Sequence, residues 1–417
     1  MTALNTPIVF NSSTGNDATA SGSPSTRAFI TTLSLQITAG SATTYGTANG
    51  AINVGDLVYA PNQTSGRKFN VIASINTSVS PTVYTFDEVW DASDFSATCY
   101  SGGKRATFDS TSSRQAFSDL AGVSFKTETD QTLTSTLNMG GAFNQIEGAS
   151  TTQRSVITQT AAAGVLNATN SSRLFNLKIQ GNGYTAWSGG GPSTLKEAVN
   201  VVFGDQTNTI GVAFGSYGAF RFHECVIQYC TGGVNIQSIY SSISMFNTKY
   251  VNNVGSANLT HGSSTSYIIG CLFANNAGVG LIADIYRVKT HISGCTFANN
   301  GSHGISGNYP PRSCYDNIFA NNGGYGINIT NSSKNNEIVF VANNQFYGNT
   351  SGNANGFDLG LSPVATDPQF NDPSSGDFTT SQANSNILGD IENKDRLTRG
   401  YAGLAEAGNT KFHPLAQ

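Results

Sequence analysis

The chain has 417 residues, a formal net charge of −4 and only 11% charged residues, against roughly 25% in ordinary soluble domains. It has no basic run, which argues against nucleic acid as a partner. No stretch approaches the ~20 apolar residues of a membrane-spanning helix, so no membrane insertion is expected. Glycine is abundant, at 46 residues, and Ser, Thr and Asn fill most surface positions. Such a surface is polar but nearly uncharged, suited to hydrogen bonding with neutral polar groups such as sugars. The start, Met1 to Pro7, has neither a basic nor an apolar signal region, so no secretory signal is expected.

Residues 1–28 are rich in Ser, Thr, Asn and Gly and lack periodicity. They read as an N-terminal arm, either flexible or an extended strand docked on a partner. Strand-like runs follow at Phe29 to Ile37, Gly55 to Ala60, Lys68 to Ile75 and Thr82 to Trp90. Turn residues separate them, which predicts a small antiparallel β-domain. Residues 106–130 carry Phe108, Phe117, Leu120, Val123 and Phe125 and predict a short helix and cap. The division is therefore arm 1–28, β-domain with helix cap 29–129, repeat region 130–362 and C-terminal cap 363–417.

The repeat region carries the strongest signal. Cys271-Leu272-Phe273-Ala274-Asn275-Asn276 returns as Cys295-Thr296-Phe297-Ala298-Asn299-Asn300 and again as Asn317-Ile318-Phe319-Ala320-Asn321-Asn322. One apolar series runs Ile157, Ile179, Phe203, Ile227, Tyr250, Phe273, Phe297, Phe319, Phe346, in steps of 22, 24, 24, 23, 23, 24, 22 and 27. A second runs Val234, Leu259, Leu281, Ile305, Ile327. A fixed period of this size means stacked supersecondary units. Within each phrase the alternation is that of a strand. Asn and Gly follow, residues that tolerate the left-handed backbone of a sharp corner. Equivalent strands then stack in parallel about 4.8 Å apart, Phe on Phe, Cys on Cys and Asn on Asn. The visible turns predict a rod on the order of 40 Å long.

The phrase N/C-x-F-A-N-N-x-x-x-G-I resembles the repeat of the right-handed parallel β-helix, or pectin-lyase-like, superfamily, over roughly residues 130–362. The segment Asp367 to Phe378 is similar to a closing segment of bacterial and phage β-helix proteins. The resemblance implies an all-β fold: a right-handed single-stranded parallel β-helix with a small N-terminal antiparallel β-domain. It leaves function open, because this helix serves lyases, hydrolases, adhesins and phage spikes.

Six cysteines are present: Cys99, Cys225, Cys230, Cys271, Cys295 and Cys314. Cys225, Cys271 and Cys295 each stand two residues before a core position, which favours stacked free thiols acting as small hydrophobes over disulfides or a metal. The Cys-x4-Cys at 225–230 lacks the second pair of a zinc site. No cofactor and no metal is expected.

Two interruptions, Gly181 to Ser193 and Gly307 to Arg312, expose candidate binding aromatics Tyr184, Trp187 and Tyr309. They suit stacking on sugar rings or, more simply, covering the flank of the rod or meeting another subunit. For chemistry, the densest charged stretch is Asp284, Arg287, Lys289 and His291. If Leu259 and Leu281 are equivalent, Asp284 falls beside His261 of the previous turn, and these two are the catalytic candidates. His223 and Glu224 are adjacent, so on a strand they point to opposite faces. Asp205, Asp316, Glu337 and Asp358 show no stacking at the repeat spacing.

Three functions follow. The first is a bacteriophage virion structural protein, a tail spike, tail fibre or capsid decoration. Its localisation is the virion, it is a homotrimer as phage spikes of this resemblance typically are, residues 1–105 bind capsid or tail proteins, and the β-helix meets host-surface polysaccharide. The second is a polysaccharide lyase or hydrolase, a depolymerase. The third is an exported bacterial adhesin.

Overall fold

A computed structural model describes residues 8–14, 29–50, 52–63, 66–102, 104–140, 143–189, 194–204, 213–215, 219–231, 235–237, 242–260, 265–283, 290–331 and 340–380. Among these described residues the fold is all-β apart from one short helix. Its body is a parallel solenoid with three sides. One side is a sheet of eleven parallel strands running from Ile8–Phe10 to Phe340–Ala342. The second has ten strands, from Gln131–Leu133 to Gln345–Tyr347. The third is formed by a three-stranded sheet and then a seven-stranded one ending at Gly352–Asn355.

The first apolar series forms one column. Ile157 pairs with Ile179, and the register continues rung by rung through Tyr250, Phe273, Phe297 and Phe319 to Phe346. Ring centroids along Phe273, Phe297, Phe319 and Phe346 are 4.9, 5.0 and 5.0 Å apart and within 10° of parallel. The second series holds from Leu281 through Ile305 to Ile327, but Leu281 pairs with Ala257, not Leu259. The buried position on that rung went to the smaller residue, and choosing the more hydrophobic neighbour shifted the expected register by two.

The repeated Asn-Asn divides two tasks. The first Asn turns the corner: Asn252, Asn275, Asn299 and Asn321 have φ between 53° and 58°, a left-handed conformation Asn tolerates better than most residues. The second Asn is buried and forms a ladder. Nδ2 donates to the next Oδ1 from Asn253 to Asn276 (3.1 Å), Asn300 (2.9 Å), Asn322 (2.9 Å) and Asn349 (2.8 Å). Each Nδ2 also donates to a carbonyl of the rung before, as Asn300 does to Phe273 at 3.0 Å. Every buried polar atom of the ladder thus has a partner, as burial demands.

The other corner uses Cys, Thr and Asn interchangeably. Cys225, Thr248, Cys271, Cys295, Asn317 and Asn344 each donate to a main-chain carbonyl on the preceding rung, at 2.8–3.4 Å. All six cysteines are free and buried. Burial pushes the thiols of Cys99, Cys225, Cys230 and Cys314 up to about 12. They behave as small hydrophobes with a weak donor.

The N-terminal segment belongs to the solenoid. Ile8–Phe10 pairs in parallel with Ser124–Thr127, so this strand docks on its own chain instead of on a partner. The chain then leaves to form a closed six-stranded barrel, Phe29–Ile37 to Asp94–Gly102, and returns at Arg105, which bridges Phe10. The helix Thr111–Asp119 starts at Ser110, whose side chain accepts from the Ser113 amide. Its Phe117 stacks on Phe125 at 4.0 Å and helps cover the first rungs. Arg105 is fully buried, donates to Ser113 at 2.9 Å, and lies over the rings of Tyr59 and Phe69 from the barrel.

At the other end Leu361 and Val364 add isolated parallel bridges to Ala342 and Gln345. The hairpin Phe370–Asp372 with Asp377–Thr380 then packs along the side. Phe378 and Phe370 cover Leu272, Ala274 and Ala298, while Val364 and Phe370 cover Ile318 and Ala320. The described part of the expected C-terminal cap therefore sheathes the outer face of the later strands of the ten-stranded sheet, which explains why both faces of Leu272–Ala274, Thr296–Ala298 and Ile318–Ala320 are buried.

Candidate functional site

The outer face of the eleven-stranded sheet carries the richest chemistry among the described residues. Inward residues such as Leu174, Ala198, Phe222 and Met245 fill the core, so their neighbours point out. One outward column is Arg173, Glu197, Arg221, Ser244, Tyr267, His291, Ser313 and Phe340. Beside it runs Phe175, Val199, His223, Phe246, Ile269, Ser293, Tyr315 and Ala342. Eight strands at the ordinary spacing make a strip roughly 30 Å long.

The strip has a charged half. Glu197 places Oε2 3.1 Å from Arg173 Nε and Oε1 3.9 Å from His223 Nε2. The second separation is too long for a hydrogen bond and acts as attraction through space. Arg221, in register with Glu197, is exposed. Burial lowers the pKa of His223 below its usual 6.5; the Glu197 carboxylate opposes that shift and Arg221 adds to it. His223 is therefore neutral at pH 7, with an imidazole able to accept a proton.

The other half is aromatic. His223 stacks on Phe246 at 5.0 Å and Tyr267 on His291 at 5.2 Å, each pair within 14° of parallel. Tyr315 and Phe340 meet edge to face at 5.5 Å. His291 Nδ1 is 2.8 Å from Ser313 Oγ. Tyr267 and Phe340 are 42% and 46% exposed, in contrast to the apolar side chains of the sheathed face.

The residues singled out from sequence fare differently. Tyr184 is exposed, in a turn closed by its amide to Gly181. Trp187 is a correction: it is fully buried, since Trp187–Ser188 is a solenoid strand pairing with Leu166 and Asn167. Its indole fills a core column and is closed to a ligand. Tyr309 is half-buried. Asp284 and His261 lie outside the described residues; the register that motivated their pairing is replaced by Ala257 with Leu281. Glu224 does not oppose His223 across a strand, because it occupies the corner with φ 53°. No group of three or more His, Cys, Asp or Glu side chains is placed to hold a metal ion among the described residues.

The Arg173, Glu197 and Arg221 cluster was missed, although its signal is in the numbering. Each residue of the column stands six before a member of the first apolar series, from Ile179 to Phe346.

The family model for right-handed β-helix regions matches residues 208–362. The solenoid is a right-handed parallel β-helix. Among solved structures, the chain is similar to that of a mutant of the periplasmic alginate epimerase AlgG, with 11% identity, a TM-score of 0.29, and coverage of 59% of this chain and 76% of that one. A search of curated protein sequences returned no match.

Proposed function

We propose that the β-helix binds a polysaccharide lengthwise along the open face of the eleven-stranded sheet. The observation that carries this reading is the contrast between two faces of one shaft. Toward its C-terminal end the ten-stranded sheet is apolar outside and covered by the hairpin; the outward residues of the eleven-stranded sheet include arginine, glutamate, histidine, serine and tyrosine, with Arg221, Tyr267 and Phe340 exposed. These groups donate and accept hydrogen bonds as sugar hydroxyls require. They stand at the strand spacing, so a linear chain lying along the strip meets a new pair of outward side chains on each rung. A rigid strip also spares the ligand's affinity the cost of ordering loops.

The setting we propose is the surface of a bacteriophage particle, as a tail spike, fibre or decoration protein, with a homotrimeric assembly and the barrel end toward the particle. The nearly uncharged composition and the separate barrel at the start of a stiff shaft support it. Light scattering on the purified chain tests the assembly, and a monomeric mass would count against it. For the binding strip, affinity electrophoresis in capsular and cell-wall glycans is the assay. Tyr267→Ala and Arg221→Ala should each weaken retention about tenfold while Tyr184→Ala leaves it unchanged. Retention indifferent to both strip variants would refute the assignment.

A second reading is favoured by His223 beside Glu197: a depolymerase acting on the same strip. A neutral imidazole next to a carboxylate and two arginines suits abstraction of a proton from an acidic sugar better than the paired carboxylates used in hydrolysis. The expected sign is unsaturated product ends, lost in His223→Ala with binding retained. Unchanged product formation in that variant would exclude His223 as the base.

A further inference from the structure

Lys196 is the outstanding buried ionisable group of the helix. It lies on the inward side of Leu195–Val199, is 1% exposed, and follows Ser172 in the same interior column. Its Nζ has no hydrogen-bond partner, and neither does Ser172 Oγ. The next residue of the column, Phe220, presents its ring 5.9 Å from the ammonium. Below, Asn144 is already satisfied by the carbonyls of Phe117 and Leu120 and by the Val123 amide. Burial alone depresses the Lys196 pKa, from 10.5 to about 8, and no charged side chain perturbs it. The adjoining segments 190–193 and 216–218 contain no acidic residue. A buried ammonium without a counter-charge is costly, and its column supplies no carboxylate.

We propose that Lys196 and Ser172 hold a small inorganic anion, of chloride size, inside the β-helix. The two side chains supply three N–H donors and one O–H donor from adjacent rungs of one interior column, with neither Nζ nor Oγ engaged by another group. A halide accepts from both and supplies the missing negative charge. A water molecule would satisfy the hydrogen bonds and leave the charge uncompensated. The ring of Phe220 closes the site above with its electron-rich face toward the cation. This site is inside the shaft and independent of the outer strip, so it stands or falls apart from glycan binding.

Diffraction from wild-type crystals grown in bromide tests it directly. The expected result is an anomalous peak within hydrogen-bonding reach of Lys196 Nζ and Ser172 Oγ; water density without an anomalous signal overturns the proposal. In solution, unfolding is compared in chloride and in gluconate, an anion too large for the column, at equal ionic strength. Chloride at about a hundred times its dissociation constant should favour the folded state about a hundredfold in wild type. Lys196→Met, which keeps a long unbranched side chain, should lose that dependence, and Ser172→Ala should weaken it. Equal chloride effects in wild type and Lys196→Met refute the site. If Lys196→Met does not fold, the bromide map and Ser172→Ala decide the question.

Discussion

The two asparagines of each phrase are chemically identical, yet replacing one should be severe and replacing its neighbour mild. Asn300 is 1% exposed. Its Nδ2 donates to Phe273 O at 3.0 Å and Asn322 Oδ1 at 2.9 Å; its Oδ1 accepts from Asn276 Nδ2 at 2.9 Å and from the Asn276 amide at 3.4 Å. Asn300→Ala removes all four. The Asn276 amide and the second Asn276 Nδ2 hydrogen lose their acceptor, and Phe273 O loses a donor. At about 1–3 kcal/mol for each of these three buried groups left unsatisfied, the cost is about 3–9 kcal/mol. Asn299 is half-buried with φ 53°. In Asn299→Gly the relief of a left-handed backbone offsets the extra freedom of the unfolded chain, and the net change stays within about 1 kcal/mol. Asn299→Val forces a β-branched residue into that conformation and should cost about 1–2 kcal/mol. Urea unfolding with the slope checked for constancy measures all three; unfolding rates substitute if refolding fails. Equal losses in Asn300→Ala and Asn299→Gly would refute the division of labour.

Three further outcomes are expected. The native protein should give no rapid reaction with a thiol reagent at pH 8, because all six cysteines are buried and four have pKa values near 12; six thiols should react in denaturant, and prompt labelling of the folded protein would contradict the packing. Phe378→Ala should loosen the hairpin from Leu272, Ala274 and Ala298 and cost about 3 kcal/mol, detected as earlier proteolytic cleavage within 365–380 and no loss of strand content; an unchanged cleavage rate would show that the hairpin is held by other contacts. Lys196 gives a pH signature. Its folded pKa is about 8 against 10.5, so between those values the unfolded chain binds more protons and stability rises with pH. The four buried thiols act the opposite way over this range, since their folded pKa values of about 12 lie above the ordinary 9.0. The Lys196 contribution is therefore the difference between wild type and Lys196→Met, which in gluconate should shift in favour of wild type by about 3 kcal/mol from pH 8 to pH 10.5, at about 1.36 kcal/mol per unit. A difference between the two proteins that stays constant with pH would mean the ammonium has a counter-charge without added anion.

The inner columns of this protein were legible because stacking makes one position answer to its equivalents above and below. Phe273 fixes what fits at Phe297, and Asn276 fixes what must stand at Asn300, so the period survives in the residues themselves. It fails where burial admits something small: Ala257 is as fully enclosed as Leu281, and nothing in its hydrophobicity marks it above Leu259. Trp187 was misplaced for a related reason. Flanking glycines suggested a loop, whereas the wide indole fills a core column in a two-residue strand that pairs with Leu166 and Asn167. The barrel strands were visible as runs, but the return of Arg105 to Phe10 depends on contacts between distant segments that no local pattern carries.

The outer strip shows why shape was easier to read than use. Its residues obey the same steps as the core, six positions earlier, yet solvent accepts nearly any polar side chain there. Arg173, Glu197 and Arg221 therefore leave no compositional trace of belonging together. Only the core register brings them into line, and once it does, the acid missing beside His223 is Glu197 on the previous strand, not Glu224 next in sequence. The informative order for such a chain is thus to fix the buried column first and then read the outward residues at constant offset. By that procedure Tyr267 and His291 meet as neighbours, and a strip of groups that can face one extended ligand emerges from positions that looked unrelated along the chain.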